Sequence, residues 1–240
     1  MMWIVALLGI VGIRLLTGVP RLVPSRGQAL VEELLCSLRD LLAPIVGKRL
    51  AKPTFPLLLS FFIYILLMNW SGLLPGVGNI GVWEGVGADR RLADFFRPAN
   101  SDLNTTLALA FVSFGGWVYF VLRFAGLRGL AKEMFGNKAS RSEVSAPVYL
   151  FLTALFLAVG VIEVISILFR PVSLSFRLYG NIFGGENLLH HLGALAPYIL
   201  PAAAYFLETL VGLIQALVFT LLSAVYIGLV CNHEQEEHAP

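Results

Sequence analysis

Apolar residues run almost unbroken over long distances in this chain, and polar ones gather in a few narrow places. A helix crossing the roughly 30 Å hydrocarbon core of a bilayer needs about 20 predominantly apolar residues. Three stretches meet that test: 55–74 and 104–122 carry no charge, and 202–230 carries Glu208 alone. A fourth, 147–195, is longer than one crossing and holds Glu163, Arg170, Arg177 and Glu186, with Pro171 in its middle. That length and charge predict a steeply tilted, proline-interrupted helix buried against protein rather than one facing lipid. Residues 1–17 form a shorter apolar run broken by Arg14. No basic segment precedes it and no small-residue cleavage pattern follows, so it reads as a short first membrane helix. Between the first two runs, Leu30, Val31, Leu34, Leu35, Leu38, Leu41 and Leu42 recur at helical spacing opposite Glu32, Glu33, Arg39 and Asp40. That pattern predicts a helix lying in the membrane surface. The pattern divides a single all-α membrane domain, 1–240, into a first helix 1–19, an interfacial helix 27–47, spans 54–75 and 103–124, a hairpin of tilted helices 144–195 and 198–231, and a tail 232–240.

Composition agrees with lipid as the solvent. Of 240 residues, 58% are hydrophobic and 13% charged, against about 25% charged in soluble domains, and the mean hydropathy is +0.81. A net charge of +2 without a basic run gives no footing for nucleic acid. Two cysteines, Cys36 and Cys231, cannot build a disulfide framework, and no Cys/His cluster suggests a metal or other cofactor. Lysine and arginine set the orientation. Segment 20–54 holds Arg21, Arg26, Arg39, Lys48, Arg49 and Lys52, and segment 125–146 holds Arg128, Lys132, Lys138 and Arg141. Segment 75–103 has Arg90, Arg91 and Arg97 beside four acidic residues. The first two segments are therefore expected inside and the third outside, with the N-terminus out and the C-terminus in.

The charges inside the apolar runs carry the chemistry. Glu163, Arg170 and Arg177 are each seven residues apart, within about 20° of two full helical turns, so a continuous helix aligns them in one polar stripe. Asn181 extends it by a turn, whereas Glu186 falls about 180° away. On the last run Glu208, Gln215 and Tyr226 share nearly one face. Glu186 and His190 are i,i+4 neighbours able to face a common aqueous cavity. Arginine at membrane depth costs a few kcal/mol even on lenient scales, and it cannot escape by losing its proton. It cannot carry protons, but as a fixed cation it favours the ionised form of a nearby carboxylate; glutamate and histidine can relay protons. Plainer roles stay open at this point. Arg177 could be an ion-pair partner, and Arg170 could lie at an interface or pair with Glu163. Asn181 and Gln215 could join helices by hydrogen bonds, and His190 and His191 could be ordinary interfacial residues. Gly180, Gly184 and Gly185 could simply admit close helix approach.

The run Arg170-Pro171-Val172-Ser173-Leu174-Ser175-Phe176-Arg177-Leu178-Tyr179-Gly180-Asn181 closely resembles the signature of subunit a of F-type ATP synthases. Met68-Asn69-Trp70-Ser71-Gly72-Leu73-Leu74-Pro75-Gly76 resembles the end of that family's second span, Asp102-Leu103-Asn104-Thr105-Thr106-Leu107-Ala108 the start of its third, and 214–227 its last helix. The resemblance implies a hairpin of two long tilted helices packed on a rotating ring of c subunits, b-type peripheral stalk subunits and the rest of the synthase as further partners, and an energy-transducing membrane such as the bacterial plasma membrane. It implies the essential cation at Arg177, the neighbouring polar residue at Asn181, and an ion pathway through Glu163, Glu186, Glu208 and Gln215, with Ser173 and His190 alongside. The transported ion is expected to be the proton, with sodium as the alternative. The short first helix, the loop 76–101, and Gly184-Gly185 with His190-His191 depart from the family pattern. Nothing here resembles a phosphate-binding loop, so the chain is not expected to be an enzyme by itself. A secondary transporter would need internal inverted repeats, which are absent.

Overall fold

A computed structural model describes residues 2–18, 24–74, 77, 81–84, 91–94, 99–124, 126, 146–195 and 199–237. Six helices make the framework of the described residues: α1 (Met2–Thr17), α2 (Arg26–Val46), α3 (Lys48–Ser71), α4 (Leu103–Phe124), α5 (Ala146–Leu195) and α6 (Ile199–Glu237). Between α3 and α4 lie a short antiparallel pair, β1 (Gly81–Glu84) and β2 (Arg91–Asp94), with Gly81 opposite Asp94, and a 3-10 turn Ala99–Ser101. Hydrophobic periodicity does not announce this pair, which falls within the loop 76–101. The rest of that loop, most of 125–146 and the C-terminal three residues lie outside the described residues.

Among the described residues, four helices are long and apolar enough to cross a membrane: Arg49–Ser71, Leu103–Phe124, Phe151–Gly193 and Ile199–Cys231, with Trp3–Thr17 shorter. The chain is a polytopic, all-α membrane protein. At about 1.5 Å per residue, the 50 residues of α5 measure roughly 75 Å, more than twice the hydrocarbon thickness, so this helix must tilt or run along the surface. It also passes through Pro171 without a break. That proline removes the donor for the Ile167 carbonyl, yet Ile167, Pro171, Leu174, Ser175 and Leu178 are all buried, so packing on both sides holds the helix together.

Helix α2 starts at Ser25, whose Oγ accepts from the Gln28 amide at 3.3 Å as an N-cap. It ends at Gly47, whose φ of 90° turns the chain directly into α3 in a conformation that only glycine adopts without strain. The apolar stripe of α2 divides: Leu38, Leu42 and Val46 enter the core, while Leu30, Leu34 and Leu41 remain exposed. Helix α3 begins at Lys48, before the expected span 54–75, and contains Pro53 and Pro56.

The core is organised around α6, which packs against α2, α3, α4 and α5. Phe219, Ala216, Ala224 and Ile227 of α6 are fully or almost fully buried with Leu42, Leu58, Phe61 and Ile65, and Phe61 meets Phe219 edge to face at 5.6 Å. Helix α5 is different. Only 11% of its most apolar stretch is buried, against 44% in α6, although the stretch is the more hydrophobic of the two.

Candidate functional site

Helix α5 presents two unlike faces. Ile167, Leu174, Leu178 and Ile182 are buried, while Leu168, Phe169, Ser173, Phe176, Arg177 and Phe183 are exposed. Arg177 therefore projects from an apolar surface that no other described part of the chain covers. It makes no hydrogen bond or ion pair with the described residues, so none of them is its ion-pair partner. Ser173 stands one turn away on the same exposed face, and Asn181, one turn in the other direction, is half-buried.

Arg170 turns inward instead. Its guanidinium lies over the Tyr226 ring of α6, 4.4 Å from the centroid, a stacking that arginine's planar, weakly hydrated head favours. Glu163, half-buried one heptad earlier, acts on Arg170 through its field without an ion pair. So the three-residue stripe splits: its middle member belongs to the α5–α6 contact and its last member to the open face. Arg170, Tyr226, Ser113, Ser223 and Trp117 line a small cleft, and one nitrogen of Arg170, Nη1, is buried without a hydrogen-bond partner.

Toward the other end of the hairpin the two acidic residues meet. Glu186 of α5 is half-buried and close enough for its charge to act on Glu208 of α6. Gly185 lies directly against the Glu208 carboxylate: a Cβ built there would occupy the position of the carboxylate oxygens. Glycine at 185 is what admits a charged group between the helices. Oε2 of Glu208 is buried without a hydrogen-bond partner, as is Nε2 of Gln215 two turns farther along α6. Buried polar atoms of this kind are normally satisfied by protein or by water. The His190 side chain lies outside the described residues, and His191 Nδ1 sits 2.8 Å from the Asn187 carbonyl, within its own helix.

Sequence reasoning overlooked the polar contacts that hold these helices together. The Oγ1 of Thr106 and the Oγ of Ser175 lie 3.0 Å apart between α4 and α5. Ser113 and Ser223 lie 2.8 Å apart between α4 and α6, and Trp117 Nε1 donates to the Tyr226 carbonyl at 2.9 Å. Ser175 was within sight, two residues before Arg177, but a lone serine in an apolar run signals nothing until its partner is known.

With this geometry in place, comparison with known proteins is direct. The ATP synthase A chain family matches residues 1–228. An ATP synthase subunit a from Moorella thermoacetica is 34% identical over 226 residues, which cover 94% of this chain and 86% of that protein. One from Aliarcobacter butzleri is 31% identical over 218 residues, covering 91% of this chain and 81% of its own length. Likeness of this extent leaves no large part of the chain unaccounted for: it belongs to the ATP synthase A chain family, the subunit a proteins of ATP synthase.

Proposed function

We propose that this chain is the ion-translocating stator subunit of an F-type ATP synthase, offering two offset half-channels to a ring of c subunits in a bacterial plasma membrane. One observation carries the reading: Arg177, a cation that cannot deprotonate, stands without an ion pair among the described residues on the exposed apolar face of a helix whose most apolar stretch is only 11% buried. Such a face calls for a partner, and the cation calls for an anion on it. A c-subunit carboxylate supplies both.

An ion enters through the outer half-channel past Glu186, Glu208 and Gln215, with His190 beside them, and neutralises a ring carboxylate. That carboxylate travels round through lipid in its neutral form. When it comes back to the stator, Arg177 stabilises its charged state, so the ion is released into the inner half-channel beside Glu163. Ser173 and Asn181 flank the cation along this track. The charge of Arg177 also blocks direct passage of cations between the half-channels. One charge moved through 100 mV yields about 2.3 kcal/mol, so several ions must be combined for each ATP, which a rotor accomplishes. ATP chemistry belongs to other subunits, and b-type subunits would hold this one still. The ion is the proton in this reading.

The test is ATP-driven pumping and passive leak in vesicles holding matched amounts of assembled complex. Arg177→Ala should assemble, fail to pump and leak. Arg177→Lys keeps a charge but loses the planar fork and should retain only a small fraction of pumping. Wild-type pumping by Arg177→Ala would refute the mechanism, and pumping that disappears when sodium is withheld would replace the proton by sodium.

A further inference from the structure

Asn69 and Trp70 sit at the end of α3, in a span whose long apolar run gives them no partner of their own. Both reach across to the backbone of α6. Asn69 Nδ2 donates to the Gly212 carbonyl at 3.0 Å, and Trp70 Nε1 donates to the Thr209 carbonyl at 3.2 Å. Behind them Asn100, in the 3-10 turn before α4, donates from Nδ2 to Asn69 Oδ1 at 2.8 Å. Asn100 is 0% exposed and Asn69 3%, so no solvent competes for these amides and the hydrogen bonds decide their orientation.

The two accepting carbonyls are three residues apart. On an α-helix that places them about 4.5 Å apart along the axis and about 60° apart around it. A helix gripped at one point can still roll; one gripped at two points is fixed in both rotation and height. Gly212 favours the grip, since a Cβ there would stand 3.2 Å from Asn69 Cβ, tighter than ordinary packing, and in van der Waals contact with Trp70 Cδ1 at 3.5 Å. Glu208 directly precedes one gripped residue and Gln215 follows the other by three. We propose that Asn69, seconded by Trp70 and Asn100, is a positioning residue that fixes the rotation of α6 and so aims Glu208 at Gly185 and Glu186 across the hairpin. A one-residue slip of α6 would move its side chains by about 1.5 Å and swing them by about 100°, enough to take Glu208 off its contact with Gly185.

This inference rests on Glu208 facing the outer aqueous path, and the experiment separates the two. In a chain with Cys36→Ser and Cys231→Ser, Glu208→Cys is introduced, and the assembled complex is placed in vesicles with its outer face accessible. The rate at which a water-soluble, membrane-impermeant thiol reagent modifies position 208 is then measured with and without Asn69→Leu. Loss of a buried hydrogen bond of ordinary strength corresponds to about a fivefold change. Asn69→Leu is expected to slow labelling by about that factor per assembled complex, and to slow pumping comparably in the chain that keeps Glu208. Fewer assembled complexes alone would leave the rate per complex unchanged. If Asn69→Leu does not assemble, Trp70→Phe removes the indole N–H while keeping an aromatic ring and allows the same comparison. Unaltered labelling alongside a readily labelled parent overturns the positioning role alone. A parent that does not label at all overturns both the outer-path reading of Glu208 and this inference.

Discussion

At Gly185 the missing side chain is what makes room for Glu208. Glu208 brings a carboxylate into the space a Cβ would fill, and that carboxylate is already constrained by burial and by the nearby charge of Glu186. Gly185→Ala should therefore leave the helices assembled, because alanine is a good helix former, while displacing Glu208 by an ångström or more. Displacements of that size at a reacting group commonly cost up to about a hundredfold in rate, so pumping should fall at least several-fold at unchanged complex yield. Shortening the obstructed side chain should help: Gly185→Ala with Glu208→Asp is expected to pump better than Gly185→Ala alone. If the single change pumps like the parent, the tight contact is of no consequence to transport. Little of this is visible beforehand. Arg177 can be found in the sequence because an intramembrane cation is intrinsically costly, whereas Gly185 means nothing until α6 is known to lie beside it. Arg170 and Arg177 share type, spacing and motif, yet one stacks on Tyr226 and the other has no ion-pair partner among the described residues. Only tertiary packing distinguishes them.

Among the helices, polar contacts differ in what they leave behind when broken. Ser223 Oγ bonds the Phe219 carbonyl of its own helix at 2.9 Å as well as approaching Ser113. Ser113→Ala thus strands no buried group, and its cost should stay near the average of about 0.6 kcal/mol for such contacts in membranes. Arg170 has no such alternative, since Nη1 is already without a partner and the Tyr226 ring is its main neighbour. Tyr226→Leu should cost about 1–2 kcal/mol, the range of partly desolvated cation–π contacts, while Tyr226→Phe keeps the ring and should be close to neutral. Thermal unfolding of the purified complex in detergent measures all three; equal losses for Phe and Leu at position 226 would remove the cation–π contact from the account. Element by element, the charge-free spans were legible because 20 apolar residues in a row have few other uses. The ends of α3 were not: the apolar run places the span at 54–75, but the observed helix begins at Lys48, within the basic segment, and runs through Pro53 and Pro56 to Ser71. Nor did periodicity divide the leucines of α2, because both a protein core and lipid accept leucine.

For the molecule as a whole, the imbalance between α5 and α6 sets the requirement for a partner. Lipid could cover the exposed residues of α5 if they were only apolar, but it cannot satisfy Arg177, whose cost at membrane depth persists without an anion nearby. The partner must therefore be apolar with an embedded acidic group, and it must meet α5 along one side. Burial states which side. Phe169, Ser173 and Phe176 are exposed, and Leu174 and Leu178 are buried at 4% and 0%. Single cysteines at 169, 173 and 176, in a chain lacking Cys36 and Cys231, should form disulfides with cysteines placed in the outer helix of the c subunit when the complex is oxidised. Cysteines at 174 and 178 should not, although they are equally close in sequence to Arg177. If the ring rotates past a fixed stator, every c subunit takes its turn at the same site, so ATP hydrolysis before oxidation should leave the yield undiminished while each cross-link formed halts pumping. Cross-links from 174 or 178 at the yield of 173 would mean that α5 turns its other face to the ring, and the exposed position of Arg177 would then have to be explained by some other anion.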